Sequence, residues 1–98
     1  MSPRKAKSRR WYVYILKCRD GTLYTGITND LSRREAEHNS GTASRYTRSR
    51  RPVQIIYKEP CTNRSAALKK EYAVKSLTRK EKEDYIERHA EKLRVLQK

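Results

Sequence analysis

Two stretches of aromatic and β-branched residues stand near the start of the chain. Residues 11–18, WYVYILKC, and residues 23–28, LYTGIT, have the composition of β-strands. The polar segment between them contains Asp20-Gly21, a pair typical of hairpin turns. The pattern therefore predicts an antiparallel β-hairpin.

The length of the turn decides which side chains share a face of the hairpin. A two-residue turn sends Tyr14 and Tyr24 to opposite faces. A three-residue turn over residues 19–21, with a left-handed glycine, pairs Tyr14 with Gly26 and places the two tyrosines as diagonal neighbours on one face. We predict the three-residue turn.

A helix follows the hairpin in the hydrophobic pattern. The pair Asn29-Asp30 is a favourable helix start and Gly41 a favourable helix end, which predicts a helix over about residues 31–39. Arg34 and His38 lie four residues apart on this helix, so they share one face.

Residues 44–51, SRYTRSRR, hold four arginines, one tyrosine and no acidic residue. We predict a basic loop in which arginine binds phosphate and tyrosine stacks on bases. The residues predicted to contact nucleic acid are Arg45, Tyr46, Arg48, Arg50 and Arg51, with Lys17 of the first strand as a further cation.

The second half of the chain predicts one strand and two helices. Residues 53–58, VQIIYK, predict a third strand, which Pro60 is expected to end. Asn63 favours the start of a helix over about residues 64–76, and Thr78 with Glu81 has the pattern of a capping box for a last helix. The apolar stripe of that last helix consists of Tyr85, Ile86, Ala90 and Leu93.

Net charge is the strongest signal in the composition. The 98 residues include 25 Lys and Arg against 11 Asp and Glu, a formal charge of +14. A chain this basic repels itself, and a polyanionic partner relieves that repulsion, so nucleic acid is the predicted partner. No long apolar segment supports a membrane partner. The length fits one domain, predicted over residues 11–94 after a disordered basic arm at residues 1–10.

The two cysteines, Cys18 and Cys61, form no Cys-x-x-Cys pair, so we predict free thiols and no structural zinc site. Cys18 falls in a predicted strand, where an inert, packed thiol is expected. The sequence has no signal-peptide pattern, and the predicted location is the cytoplasm.

One acidic residue occupies an unusual position on the helix predicted at residues 64–76. Glu71 lies on the same side as Ala67, Leu68 and Val74, which form the apolar stripe. A half-buried carboxylate needs a partner. That partner is either an arginine in an ion pair or a Mg²⁺ ion, which one carboxylate binds together with water and substrate phosphate.

Five positions, in order and at matching spacings, resemble the GIY-YIG nuclease superfamily. Its first motif is similar to YVY at residues 12–14, and its second to YTG at residues 24–26. The helix arginine of the family falls on Arg34, its His or Tyr one turn later on His38, and its metal-binding glutamate on Glu71. The resemblance covers roughly residues 11–80 and is strongest to small stand-alone bacterial members.

The resemblance implies an α+β fold, with a three-stranded antiparallel sheet flanked by helices, and phosphodiester hydrolysis at one divalent metal, Mg²⁺ or Mn²⁺. Glu71 would bind the metal, Arg34 the scissile phosphate, and Tyr14 would orient the attacking water or the phosphate. Tyr24 and His38 are both candidates for the general base. The predicted activity is that of an endonuclease with a role in DNA repair or processing, with DNA favoured over RNA.

Two positions depart from the family pattern. Tyr12 stands where the first motif has glycine, and Ile27 stands where excision-repair members carry a lysine that aids catalysis, a role for which Lys17 is a substitute candidate. A domain this small has little surface for recognising a sequence, and a protein partner that supplies recognition is compatible with that size. The alternative function is a nucleic-acid-binding module that is non-catalytic or depends on a partner.

Overall fold

The structure, a computed structural model, describes residues 10–96, and it describes side chains up to residue 89. Residues 1–9 of the arm predicted at residues 1–10, and the side chains of Ala90 and Leu93, lie outside this part. The described elements are β1 (Trp11–Cys18), β2 (Leu23–Thr28), α1 (Leu31–Ser40), α2 (Arg45–Arg48), β3 (Val53–Cys61), α3 (Arg64–Lys75) and α4 (Arg79–Leu96).

The strands form one antiparallel sheet in the order β2-β1-β3, flanked by helices, which confirms the predicted α+β architecture. In the hairpin, Tyr14 pairs with Gly26 and Leu16 with Tyr24. Gly21 has a φ of 88°, a left-handed value that favours glycine. The predicted three-residue turn is confirmed.

The third strand is longer than predicted. The sequence predicts that Pro60 ends it, but β3 continues to Cys61, and Pro60 lies opposite Tyr12. Proline lacks an N–H group, yet an edge strand bonds its neighbour through only half of its N–H groups. The prediction was wrong because β3 is an edge strand, where proline is tolerated. Which strand lies at the edge depends on the order of all three strands in the sheet.

A β-bulge in β3 determines which of its side chains face each side of the sheet. Ile15 pairs with Tyr57, but Leu16 pairs with Ile55, so Ile56 is the extra residue. The shift sends Ile55 to one face and Tyr57 to the other. Ile56 is left partly exposed to solvent, at 38%.

Each face of the sheet has its own apolar cluster, and different helices cover the two faces. The cluster on the α1 side contains Tyr14, Leu16, Cys18 and Val53, with Tyr24, Leu31 and Ile55 packed against it. The cluster on the side of α3 and α4 contains Ile15, Tyr57 and Val74, with Leu23, Tyr85 and Ile86 packed against it. The central strand β1 therefore contributes to both layers.

The helix starts predicted from capping residues are confirmed. Asp30 accepts a hydrogen bond from the Arg33 N–H at the start of α1, and Asn63 caps α3. Before α4, the Thr78 N–H donates to the Glu81 carboxylate at 2.9 Å, and the Glu81 N–H donates to the Thr78 hydroxyl at 3.2 Å. None of the helices in residues 10–96 combines the length and the apolar character needed to cross a membrane.

The segment predicted to be a basic loop contains a helical turn. The Ser44 hydroxyl accepts bonds from the N–H groups of Tyr46 and Thr47 and so caps α2. The loop prediction was wrong because it followed the density of arginines and not the serine cap.

A carboxylate network ties α3 and α4 to the sheet. One oxygen of Glu59 accepts bonds from the hydroxyls of Tyr57 at 2.8 Å and Tyr85 at 2.6 Å, and the other lies 3.4 Å from Lys70 Nζ. Burial alone would raise the pKa of Glu59, but the two hydroxyl bonds and the lysine charge outweigh burial and hold this pKa below 4.5. The network therefore favours the ionised carboxylate in the folded protein.

We expect Glu59→Ala to lower the free energy of unfolding at pH 7 by about 2 kcal/mol, since it removes a charged acceptor shared by two hydroxyls. The folded-state pKa is lowered, so this contribution is complete above pH 4.5 and is lost as pH falls through that pKa. Urea unfolding at pH 7 and pH 3 measures both effects. Glu83→Ala, at an exposed ion pair on α4, is the control; equal losses in both variants would contradict the role of Glu59.

Candidate active site

The hairpin register brings Tyr14 across the neighbouring strand at a glycine. A Cβ atom at Gly26 would lie 2.5 Å from the Tyr14 hydroxyl oxygen, closer than such atoms approach each other. Glycine is therefore required at this position for the Tyr14 ring to occupy its place. Tyr14 is only 2% exposed.

Tyr14, His38 and Thr47 form a buried hydrogen-bonded chain. The Tyr14 hydroxyl lies 2.9 Å from His38 Nε2, and His38 Nδ1 lies 2.8 Å from the Thr47 hydroxyl. His38 is 1% exposed, and both of its ring nitrogens are engaged. Arg34 and His38 lie on the predicted common face of α1 but differ in burial, because Arg34 is only half-buried.

The bonds of Thr47 assign the tautomer of His38. The Thr47 hydroxyl lies 3.3 Å from the carbonyl of Ser44, to which it donates its single proton. The same hydroxyl then accepts from His38 Nδ1–H, which leaves Nε2 unprotonated. Nε2 accepts the proton of the Tyr14 hydroxyl, so this chain of bonds runs in one direction.

Burial keeps both members of the Tyr14–His38 pair uncharged. Burial lowers the pKa of His38, the charge of Arg34 lowers it further, and Glu37 opposes this change. Burial also raises the pKa of Tyr14 strongly, with smaller contributions in the same direction from Tyr24, Glu71 and Glu37, while Arg34 lowers it. The charges of Arg34 and Glu71 therefore both act on Tyr14.

Tyr24 lies beside the chain without bonding to it. Its ring meets the His38 ring edge-on with the centroids 5.2 Å apart, and it stacks on Tyr46 at 5.9 Å. The Arg50 guanidinium lies 4.0 Å from the Tyr46 ring, and its Nε is 3.2 Å from an Asp20 oxygen. Tyr46 and Arg50, predicted to contact nucleic acid, thus also support Tyr24.

Arg34 has one unused donor in the site. Its Nη1 lies 3.1 Å from a Glu37 oxygen, whereas its Nε is buried and bonds no atom of the described residues. A buried N–H of a guanidinium without a partner is costly. The unused Nε–H is therefore available to an acceptor supplied by a ligand.

Glu71 is half-buried on α3, with its side chain 19% exposed. Ala67 and Val74 are buried beside it as predicted, but Leu68 is 39% exposed and does not belong to the stripe. The periodicity alone did not indicate this exposure. Of the two alternatives for its partner, the arginine is not what the described residues supply, since Glu71 pairs with Lys75, whose Nζ is 3.3 Å away.

The donors around Glu71 fit one hydrated divalent metal. No group of three or more His, Cys, Asp or Glu residues in the described part of the chain forms a protein-only metal site. Mg²⁺ keeps several waters and binds proteins through one or two carboxylates plus phosphate, so a single glutamate is sufficient. One Glu71 oxygen lies beside the Lys75 ammonium, so this carboxylate is already placed next to a positive charge.

The other predicted nucleic-acid contacts lie on the surface. Lys17, Arg45, Arg48 and Arg51 are exposed, and Arg51 Nε donates to the Arg48 carbonyl at 2.7 Å. The structure does not bring Lys17 into a bond with the Tyr14–His38 chain. Thr47 was not predicted as a site residue, and its only signal in the sequence is its position three residues after the Ser44 cap.

Comparison with protein families identifies the domain. The model of the GIY-YIG catalytic domain matches residues 10–85. A UPF0213 protein of Desulfotalea psychrophila is 59% identical over 69 residues, which cover 69% of this chain and 63% of that protein. A UPF0213 protein of Bacillus pumilus is 51% identical over 76 residues, which cover 78% of each.

Solved structures agree with this assignment. The solution NMR structure of a protein from E. faecalis has a TM-score of 0.62 and 46% identity, covering 86% of this chain and 90% of that one. The NMR structure of a UPF0213 protein from Bacillus halodurans has a TM-score of 0.53 and 41% identity, covering 80% and 83%. By family match, sequence identity and fold, the chain belongs to the GIY-YIG family.

Proposed function

We propose that this protein is a metal-dependent endonuclease that hydrolyses phosphodiester bonds in nucleic acid, with DNA favoured over RNA and a role in DNA repair or processing. The GIY-YIG domain is typically a nuclease domain. The observation that carries the proposal is the buried Tyr14–His38 hydrogen bond beside Arg34, which has an unused donor. The charge of +14 supports a polyanionic substrate.

The proton of the attacking water passes through Tyr14 to His38. As the water attacks phosphorus, its proton moves to the Tyr14 oxygen while the proton of Tyr14 moves to His38 Nε2, so Tyr14 ends neutral. From the sequence, both Tyr24 and His38 are candidates for the general base. The bond from Tyr14 to Nε2 favours His38, because Tyr24 only packs against its ring.

Thr47 is a positioning residue for this step. Its hydroxyl accepts from Nδ1–H and so keeps Nε2 free to take a proton. The lowered pKa of His38 keeps the imidazole neutral, and therefore able to act as a base, at neutral pH.

Arg34 and Glu71 act on the scissile phosphate, Arg34 directly and Glu71 through the metal that it would hold. The unused Nε–H of Arg34 is a donor for an oxygen of the scissile phosphate, on which negative charge grows in the transition state. Glu71 would hold Mg²⁺ or Mn²⁺, and such a metal supplies charge stabilisation at the leaving oxygen. Lys75 would release the Glu71 oxygen, since its ammonium sits on a half-exposed, flexible stem.

We expect Glu71→Gln to lower metal-dependent cleavage about 100- to 1000-fold, because the neutral amide no longer holds the cation that stabilises charge. Cleavage of labelled single-stranded, duplex and branched DNA, and of RNA, is measured with Mg²⁺, Mn²⁺ or EDTA. Glu83→Gln is the control, and far-ultraviolet circular dichroism verifies the fold. A Glu71→Gln protein that cuts at the wild-type rate would remove Glu71 from the site.

Arg34→Gln should separate catalysis from binding. We expect cleavage to fall about 100-fold or more, since a donor to the transition state is lost, while affinity in EDTA falls less than about tenfold. Arg33→Gln is a matched control, because Arg33 also pairs with Glu37 but is exposed. Equal losses of cleavage and affinity in Arg34→Gln would make Arg34 a binding residue only.

Thr47→Val should lower kcat roughly 10- to 100-fold, with little change in KM, because Nδ1–H loses its acceptor and the tautomer changes. Thr47→Ser should restore the rate. In the wild type, the acid limb of the pH–rate profile should lie below pH 6.5, since the pKa of His38 is lowered, and activity should fall as pH drops through that pKa. A wild-type limb above pH 6.5, or a Thr47→Val variant with normal kcat, would exclude the relay.

A further inference from the structure

A cleft in the basic surface lies outside the Tyr14–His38 chain. Its volume is about 640 Å³, and it opens where the hairpin turn, the end of α1 and the connection from α2 to β3 meet. The lining residues are Arg19, Asn39, Arg48, Ser49, Arg51 and Pro52. The lining carries three positive charges and no carboxylate, so it attracts anions.

Two of the three arginines of the cleft have side chains available to a ligand. Within the described residues, the side chains of Arg19 and Arg48 form no ion pair or hydrogen bond. Arg51 is fixed, because its Nε donates to the Arg48 carbonyl and its Nη1 lies 3.4 Å from the Asn39 carbonyl. Three guanidinium groups near each other repel unless an anion lies between them.

Arg50 differs from these three arginines although it lies in the same segment. It pairs with Asp20 and packs on Tyr46, so its charge is used within the protein. Its carbonyl also accepts the Arg19 N–H at 3.0 Å, which fixes the backbone of Arg19 at the edge of the cleft. Charge density along the sequence therefore does not decide which arginines bind.

The cleft adjoins the proposed catalytic chain at two points. His38 and Thr47 belong to the hydrogen-bonded chain. The residues that follow them in sequence, Asn39 and Arg48, line the cleft. The cleft and the proposed catalytic chain are therefore carried by the same two helices, α1 and α2.

We propose that this cleft binds a backbone phosphate of the nucleic-acid strand, flanking the phosphate that is cut, with Arg19 and Arg48 as its ligands and Arg51 as its fixed wall. The proposal rests on the proposed nuclease function for its ligand. It assigns to Arg19 a binding role that the sequence pattern did not indicate.

The test measures affinity without cleavage. Fluorescence anisotropy in EDTA measures binding to a labelled single-stranded DNA at salt concentrations between about 50 and 200 mM. The wild type is compared with a double variant that carries Arg19→Gln and Arg48→Gln. We expect affinity to fall roughly tenfold and the slope of log K against log salt to shrink by about 0.7, the value for one phosphate contact on a single strand. Arg51 is left intact because its bonds to two carbonyls support the fold.

The matched control removes the same charge elsewhere. Arg79→Gln combined with Lys80→Gln, at exposed ion pairs on α4, changes the net charge equally. A loss in the cleft variant no larger than in this control would overturn the proposal. The DNA is used with a 5′-hydroxyl and with a 5′-phosphate, and a loss seen only with the 5′-phosphate would assign the cleft to a terminal phosphate and overturn the backbone role.

The outcomes separate this proposal from the nuclease function. Weaker binding by the cleft variant, with no cleavage by the wild type in Mg²⁺, supports the cleft and contradicts the nuclease. Cleavage by the wild type, with cleft and control variants equal in affinity, supports the nuclease and overturns the cleft. A wild type that binds no nucleic acid overturns both.

Discussion

The register of the β1–β2 hairpin is the constraint on which the rest of the site depends. It sets Tyr14 opposite Gly26, and only the missing side chain of that glycine leaves room for the phenol ring. From there the hydroxyl reaches His38 on α1, 24 positions along the chain. A shift of one residue would turn Tyr14 to the opposite face and end that contact. A local turn thus controls a long-range interaction.

The site draws on both layers around the sheet. His38 and Arg34 come from α1 on one face, whereas Glu71 is carried by α3, whose Val74 packs into the cluster on the other face. The charge of Glu71 nevertheless acts on Tyr14. The Glu59 network, which holds α4 and α3 to the sheet, therefore stabilises the layer that carries the proposed metal ligand, although it lies apart from the proposed chemistry.

The features predicted from sequence are those that depend on a few neighbouring residues. The turn with left-handed Gly21 and the helix starts at Asp30 and Asn63 were accessible in this way, whereas the family resemblance implied the three-stranded architecture and located the proposed site residues. The features that were missed depend on tertiary context. Leu68 is exposed although the helical periodicity places it on the apolar stripe. The bond between Thr47 and His38 joins two segments whose proximity only the fold creates.

The course of β3 has a consequence for contacts between molecules. A strand at the edge of a sheet offers unpaired N–H and C=O groups, which can recruit a strand from another chain and begin aggregation. The bulge at Ile56 interrupts the regular spacing of those groups, and Pro60 removes one donor from the row. Together with the charge of Lys58, they make β3 a poor template for strand addition, even though it is nine residues long.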